Sequence, residues 1–303
     1  MKYTKPPLSF EDQAKLLIKR GLIVTDEVEL IGYLSNVNYY RLSGYLYPFK
    51  QVDPLTGEES FYPGTQFSTI KNRYEFDRRL RLLLMDAIER IEVAILRTQF
   101  VEKHALTYGT FGYTVFKNYK PEFLYIDFRK LMKDIRFDEK RSSEEFIKRY
   151  REKYDEETHL AFWMAAEVMS FGQILTLYRN SDREIQIIIA KNFNLSALVL
   201  DSWLHTLLYI RNACAHHVRL WNRVLPLAPL FPDKKHDPNW HLPVKISNQR
   251  IFAVLTIIRY LMTRIDPQNH IQRSMIKLIE DNPEIPIELM GFPENWRDCQ
   301  YWQ

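Results

Sequence analysis

The sequence predicts a mainly α fold, and three observations support this prediction. Long segments carry apolar residues at the spacing of a single helix face. Several of these segments begin with a serine or aspartate that is suited to cap a helix. No convincing set of alternating strands and no internal repeat is present. We therefore expect a helical bundle with a small helical N-terminal lobe and an extended C-terminal tail.

The N-terminal lobe is predicted to span residues 1–66. Ser9 opens a first helix with a capping-box-like pattern, and Asp26 opens a second. An unusually aromatic segment follows at 38–49. Prolines and glycines in 50–66 then predict a loop or a small hairpin.

The main helical domain is predicted to span residues 67–265. It opens with the longest helical pattern of the chain, which runs from Ser68 or Thr69 to about Lys103. The segment His159–Arg179 predicts one strong helix. Further helices are expected near 124–137, near 143–154 and over 247–264. Residues 181–184 resemble a capping box for a helix that ends near Lys191, and Asn194 or Ser196 begins the next helix. Residues 266–303 are expected to add one helix and a tail rich in proline and tryptophan.

Composition excludes several classes of protein. Only nine glycines are present, and neither a P-loop nor a dinucleotide-binding fingerprint occurs. The two cysteines, Cys214 and Cys299, are too few for a disulfide framework or a paired-cysteine zinc site. No apolar segment reaches the length of a membrane span. We expect a cytoplasmic protein without a membrane anchor, a metal or another cofactor; the net charge of +4 permits nucleic-acid binding but does not indicate it.

One short motif carries the candidate chemistry. It is Arg211-Asn212-Ala213-Cys214-Ala215-His216-His217, at the end of a strongly apolar helix. A guanidinium, an amide and two imidazoles are costly to bury unless they are paired. The motif therefore indicates either a structural network or a site for chemistry.

Helix geometry constrains how this motif can act. At about 100° per residue, His205, Asn212 and His216 share a face, whereas Arg211 lies about 140° from His216. A single regular helix would not direct Arg211 and His216 at the same atom. Either the helix unwinds after Ala213, or two copies of the motif meet across a symmetric interface.

The residue types suit RNA cleavage without a metal. Histidine has an unperturbed pKa of about 6.5, so one imidazole can deprotonate a ribose 2′-hydroxyl while another protonates the leaving 5′-oxygen. Arginine suits the non-bridging oxygens of the phosphate. Because DNA lacks the 2′-hydroxyl, this hypothesis predicts RNA as the substrate.

Two other interpretations compete with the nuclease hypothesis. Arg211 can pair with Glu167 while the histidines cap the end of the helix, where a positive charge is favourable. A metal site built from Cys214, His216 and His217 is a further alternative, although these residues lack the usual ligand spacing.

Four segments in order resemble a known family. They are NYYRLSGYLYPF at 38–49, DAIERIEVAI at 86–95, FWMAAEVMSFGQI at 162–174 and IRNACAHHVRLWNR at 210–223. Together they resemble the AbiD/AbiF-type abortive-infection proteins of bacteria, which belong to the HEPN superfamily of α-helical domains. The resemblance implies a HEPN-type helical bundle, a role in antiphage defence and a metal-independent ribonuclease that works as a homodimer.

The resemblance also implies roles for individual residues. Arg211 and His216 match the ends of the HEPN motif, and Asn212 matches its polar second position. His217 is a helper of His216 or its substitute, and Glu167 is expected to orient Arg211. His205, on the face of Asn212 and His216, is a supporting candidate.

The aromatic segment allows two interpretations. Tyr39, Tyr40, Arg41 and Lys50 can stack on unpaired bases and bind phosphates of RNA. Alternatively, the aromatic side chains hold the N-terminal lobe together, and we favour this interpretation because aromatic clusters are mostly core.

We therefore expect a HEPN endoribonuclease of antiphage defence that binds RNA as its substrate and as a candidate non-coding partner. The alternative is a non-catalytic RNA-binding module that binds, or is held by, a small non-coding RNA.

Overall fold

The computed structural model describes residue 2 and residues 6–303. This part of the chain is mainly helical, and its sheet is a hairpin of two short antiparallel strands, β1 (Lys50–Val52) and β2 (Glu59–Phe61). The prediction of a mainly α fold is confirmed.

The helices follow one another along the chain, with long connections between α3 and α4, α5 and α6, and α11 and α12. They are α1 (Phe10–Lys19), α2 (Glu27–Val37), α3 (Tyr39–Leu46), α4 (Phe67–Glu92), α5 (Val101–Tyr108), α6 (Tyr125–Arg141), α7 (Glu145–Lys153), α8 (Phe162–Val168), α9 (Phe171–Asn180), α10 (Arg183–Asn192), α11 (Ala197–Ala215), α12 (Ile251–Ile265) and α13 (Ile271–Glu280). Within the described residues no individual helix has the length and apolar character of a membrane span; α10 and α11 meet that test only when joined across an 81° bend.

The described residues divide into two compact units. The first comprises those up to Leu80 together with 281–285, and the second comprises 81–280 and 286–303. The division falls inside α4, whereas the sequence suggested a boundary where the loop 50–66 meets the helical pattern. The first unit therefore contains the N-terminal part of α4, and the second unit contains its C-terminal part.

The first unit has its own apolar core, built by α1, α2, α3 and the start of α4. Local capping explains where its helices begin: the Ser9 hydroxyl accepts from the Asp12 N–H, and the Asp26 carboxylate accepts from the N–H groups of Val28 and Glu29. The core consists of fully or nearly fully buried side chains, including Ala14, Leu17, Leu30, Leu34, Leu42, Tyr45, Leu46 and Ile70.

In the second unit the end of α4 continues into a π-helix. The π-helical residues are Val93–Phe100, and α5 then extends the helical run to Tyr108, beyond the predicted end near Lys103. A π segment widens the helix and shifts the register of the side chains that follow it. Apolar periodicity alone does not reveal such a segment.

The prediction of one helix over His159–Arg179 is wrong. The structure has two helices, α8 and α9, separated at Met169 and Ser170. Ser170 and Gln173 form a reciprocal capping box in which each side chain accepts a hydrogen bond from the other residue's backbone N–H. This local pair starts a new helix although the apolar pattern continues across the break.

Helix α11 lies in the core of the second unit and packs against α9, α10 and α12. Its Trp203 is fully buried, donates its indole N–H to the Leu230 carbonyl at 2.6 Å and packs against Trp240 and Tyr260. Such burial fixes the axis and rotation of α11, and therefore the position of the motif at its end.

Candidate functional site

The site is built on the C-terminal end of α11. The helix begins at its N-cap Ser196, whose hydroxyl accepts from the Val199 N–H, and it continues without interruption to Ala215. The alternative in which the helix unwinds after Ala213 is therefore wrong. Arg211 and Asn212 lie within regular helix, and His216 is the capping residue that follows it.

A specific backbone turn closes α11. The Val218 N–H donates to the Ala213 carbonyl at 2.8 Å, and the His217 N–H donates to the Cys214 carbonyl at 2.9 Å. These two bonds define a Schellman motif, in which the residue after the cap adopts a left-handed conformation. His217 holds that position with φ of +56°, where glycine is the usual residue. The turn directs His216 and His217 differently although they are adjacent in sequence.

The motif side chains differ in their exposure. Arg211 and Asn212 are half-buried, and the Arg211 Nη1 donates to the Asn212 Oδ1 at 3.3 Å. His216 and His217 are exposed. Within the described chain the His216 imidazole makes no recorded hydrogen bond, so it is accessible to a ligand. Asn212 therefore restrains the guanidinium of its neighbour, while His216 faces solvent.

Helix geometry separates the two ends of the motif. Five residues of regular helix place Arg211 and His216 about 140° apart around the axis and about 7.5 Å apart along it. The side chains of Arg211 and His216 in one chain therefore project from different sides of α11. The angular relationship inferred from the sequence holds because α11 is helical up to Ala215, the residue before His216.

His205 also lies on α11, but far from His216 along the helix axis. It is half-buried, and burial lowers its pKa; the positive charge of Arg179 lowers it further, while Asp201 opposes both effects. Arg179 and Asp201 form an ion pair of 2.9 Å. Because eleven residues separate His205 from His216, the two lie about 16 Å apart along the axis. His205 therefore cannot contact the same phosphate as His216.

Glu167 does not pair with Arg211 in the described chain. Glu167 is exposed on α8 and lines a surface depression with Asp138, Arg141 and Glu144. Helix α8 packs against α5, α6 and the π segment, whereas α11 packs against α9, α10 and α12. The expectation that Glu167 orients Arg211 is therefore wrong for a single chain, because the two helices have different neighbours. Asn212 accepts the hydrogen bond of the Arg211 guanidinium instead.

The chain matches a known protein family over most of its length. The family model described as Abi-like protein matches residues 32–222, which is more than half of the chain and includes α11 and its motif. The chain belongs to the Abi-like protein family. No curated protein and no solved structure matches the chain significantly. Membership of the Abi-like family indicates involvement in abortive-infection defence.

The residues predicted to bind RNA in the Abi-like chain lie in the first unit. Tyr39 is half-buried, accepts a hydrogen bond from Arg20 and lines a cavity of about 490 Å³ that Lys50 also lines. Lys50 pairs with Glu59 at 3.2 Å, Arg41 is half-buried and Tyr40 is 88% exposed.

The aromatic segment is in part structural. Tyr45 is buried in the core of the first unit, and its ring packs edge-on against Tyr74. Tyr39 and Phe49 pack against the same core from its edge. This packing supports the interpretation that the segment holds the lobe together, while Tyr40 presents its ring to solvent.

The structure also contains a largely buried ion pair between Glu92 and Arg97 that was not predicted from the sequence. The Arg97 Nε donates to the Glu92 carboxylate at 3.0 Å, and the same guanidinium donates to the carbonyls of Ala166 and Met169. Arg97 therefore satisfies carbonyl groups at the end of α8. The five-residue spacing of the pair reflects the π segment that carries Arg97.

The cysteine and histidines of the motif do not form a metal site. Cys214 is 4% exposed on the packed side of α11, whereas His216 and His217 are exposed. Among the residues that the structure describes, no group of three or more histidine, cysteine or acidic side chains is arranged to hold a metal ion.

Proposed function

We propose that this Abi-like chain is a metal-independent endoribonuclease of the HEPN type that acts as a homodimer in abortive infection. The observation that carries the proposal is the placement of an exposed His216 and a restrained Arg211 at the end of one uninterrupted helix. These are the side chains that metal-free cleavage of RNA requires, a proton-transferring imidazole and a phosphate-binding guanidinium.

The angular separation of Arg211 and His216 favours a site made by two copies. One helix end directs the two side chains about 140° apart, so a single copy does not focus them on one phosphate. A two-fold axis near the motif would place Arg211 of one copy opposite His216 of the other. The composite cleft would contain two guanidinium groups and up to four imidazoles.

The charge distribution around the motif supports a polyanionic substrate. No acidic residue occurs between Asp201 and Asp233, although Arg211, Arg219 and Arg223 lie in that stretch. The Arg223 guanidinium lies 5.7 Å from the ring centroid of Tyr209, two residues before the motif begins. A local excess of positive charge attracts the phosphates of RNA even when the net charge of the protein is small.

In the proposed mechanism His216 accepts the proton of a ribose 2′-hydroxyl. The 2′-oxygen attacks the adjacent phosphorus, the bond to the 5′-oxygen breaks, and an imidazole from the second copy donates a proton to that oxygen. Arg211 binds the non-bridging oxygens and stabilises the charge that develops on them. The products are a 2′,3′-cyclic phosphate and a 5′-hydroxyl.

The first test is incubation of the purified protein with mixed cellular RNA in excess EDTA. We expect cleavage that leaves 2′,3′-cyclic phosphate ends, and we expect no cleavage by the His216→Ala/His217→Ala double variant. The variant must retain the parent's melting temperature for this comparison to be valid. Absence of cleavage by the parent, with RNA copurifying, would replace this proposal with a non-catalytic RNA-binding module.

A further inference from the structure

A second candidate site lies between α6, α7 and the segment 157–160. A cavity of about 270 Å³ opens there, and its lining contains no residue of α9, α10 or α11. The cavity is smaller than the roughly 300 Å³ at which pockets for drug-sized ligands begin. Its size therefore suits an anionic group and part of the group attached to it, the rest of which would lie outside the cavity.

The rim of this cavity carries three basic side chains and one exposed carboxylate, that of Glu157. Arg136 and Lys140 lie four residues apart on α6, and Arg151 approaches from α7. Two cations at this spacing share a helix face and repel each other by about 0.2–0.5 kcal/mol. Neither Arg136 nor Lys140 donates a recorded hydrogen bond within the described chain. Because Arg136 and Lys140 line one cavity and have the same charge, an anion bound there would reduce the repulsion between them.

Arg151 is held in position by the protein itself. Its Nη2 donates to the backbone carbonyl of Glu139 at 2.6 Å, which fixes the guanidinium at the cavity wall. A guanidinium has five N–H donors in a fixed plane, so one bond to the backbone leaves others for a ligand. This preorganisation favours a planar or tetrahedral oxyanion that accepts several bonds at once.

The inner part of the cavity contains a buried carboxyl group. Glu139 is 3% exposed, and the Tyr113 hydroxyl donates to it at 3.1 Å. Burial raises the pKa of Glu139, while the Tyr113 hydrogen bond and the charges of Arg151 and Arg136 oppose the rise. A carboxyl group of this kind repels an anion less than an exposed carboxylate does.

One wall of the cavity is aromatic and apolar. Tyr150, His159 and Leu160 line it, and the Tyr150 hydroxyl donates to the His159 carbonyl at 3.3 Å. Such a wall suits the sugar or base attached to an anionic group.

We propose that this cavity binds a phosphate monoester, with Arg136, Lys140 and Arg151 around the phosphate and the Tyr150–Leu160 wall against the attached nucleoside. The same chemistry is present in a free mononucleotide and in the 5′-terminal phosphate of an RNA. The proposal does not depend on the cleavage chemistry at α11.

The experiment measures binding by calorimetry in the intact His216→Ala/His217→Ala protein, so that any RNA probe survives. The probes are inorganic phosphate, AMP, and one short RNA prepared with a 5′-phosphate and with a 5′-hydroxyl. Saturable AMP binding, with no difference between the two RNAs, identifies the free nucleotide as the source. Preference for the phosphorylated RNA identifies the RNA end.

Two variants test the site itself. Arg136→Gln should weaken the binding of the preferred probe at least tenfold, because it removes a rim charge from an exposed residue. The matched control is Arg129→Gln, an exposed arginine of the same helix that does not line the cavity. Glu139→Gln keeps an acceptor for Tyr113 and removes the negative charge, so it should strengthen binding.

Three results would overturn the proposal. The first is no saturable, phosphate-dependent binding of any probe by the folded protein. The second is an equal loss of affinity in Arg129→Gln and Arg136→Gln, which would indicate a general charge effect. The third is weaker binding by a folded Glu139→Gln variant, which would indicate a cationic ligand instead.

Discussion

The backbone N–H of Val218 donates a hydrogen bond of 2.8 Å to the carbonyl of Ala213, and this bond ends α11 beside its histidines. The chain can reverse there because His217 adopts a left-handed conformation. The positive φ of His217 therefore helps to fix the end of α11, where the candidate catalytic side chain of His216 lies.

The strain at His217 predicts an unusual order of stability. His217→Ala and His217→Gly both remove the imidazole, so their difference isolates the backbone. His217→Gly should be the more stable variant by about 1 kcal/mol, because glycine adopts a positive φ without the steric cost that alanine bears. The free energies of unfolding are measured by urea titration.

His216 provides the matched control for this comparison. Its φ is −86°, which alanine adopts readily. His216→Gly should therefore be no more stable than His216→Ala. Equal stability of the two variants at position 217 would show that the left-handed turn is not maintained in solution.

The proposed site made by two copies predicts complementation between inactive variants. Arg211→Ala and His216→Ala should each abolish cleavage as homodimers. In a mixed dimer, Arg211 of one copy and His216 of the other remain intact, so one of the two trans pairs is complete. Cleavage of RNA in EDTA is measured after the two variants are mixed, unfolded and refolded together.

Complementation separates a site made in trans from one made within a single chain. If Arg211 acted with His216 of its own copy, every chain of the mixture would lack one member of the pair. The mixture would then stay inactive, although light scattering would still detect dimers. That result would restrict the active site to one copy.

The buried pair of Glu92 and Arg97 predicts a large loss of stability on removal of the cation. Arg97→Met should destabilise the protein by about 3–5 kcal/mol, because it leaves a buried carboxylate without its partner. The double variant Glu92→Gln/Arg97→Met should be less destabilised than Arg97→Met alone. Chemical denaturation of both variants measures this difference.

An exposed pair provides the comparison for Arg97. Arg149 and Glu145 are 3.2 Å apart, and both side chains are mostly exposed. Arg149→Met should change stability by less than about 1 kcal/mol. A similarly small effect for Arg97→Met would show that the Glu92 carboxylate is hydrated in solution.

His104 predicts a dependence of stability on pH. Both ring nitrogens are buried without hydrogen-bond partners among aromatic rings, and burial lowers the pKa of His104 to about 4. The native state therefore resists protonation that the unfolded state accepts below about pH 6.5. This contribution is fully present above pH 6.5 and decreases by about 3 kcal/mol as the pH falls to 4.

A variant separates His104 from the other titrating groups. His104→Phe cannot titrate, so its loss of stability between pH 7 and pH 4.5 should be smaller than that of the parent. Because each protein is compared with itself, any change in packing cancels. An identical pH dependence in both proteins would mean that His104 is accessible to protons in the native state.

Helix starts were predictable from the sequence because capping is local. Asp26 and Ser196 each precede a helix and bond to backbone N–H groups two or three residues away. The break at Ser170 is local as well, but the apolar pattern that continues across it favoured one long helix. The π segment was not predictable, since its residues do not differ in type from those of an ordinary buried helix.

The candidate site was predictable only within one helix. The relative directions of Arg211 and His216 follow from their spacing, and the structure preserves that spacing. The partner of Arg211 was not predictable, because Glu167 lies on a helix with different neighbours. Such contacts depend on tertiary packing, which cannot be inferred from the separation of two residues in the sequence.

The stretch without acidic residues between Asp201 and Asp233 also has a kinetic consequence. A polyanion that binds this stretch meets Arg211, Arg219 and Arg223 and no acidic side chain of the same stretch, so the encounter rate should fall as added salt screens the attraction. The chemical step after docking involves groups in contact and is much less sensitive to such screening. Ionic strength would thus control the rate at which a strand encounters the site. The geometry of α11 would control the rate of the chemical step after the strand has bound.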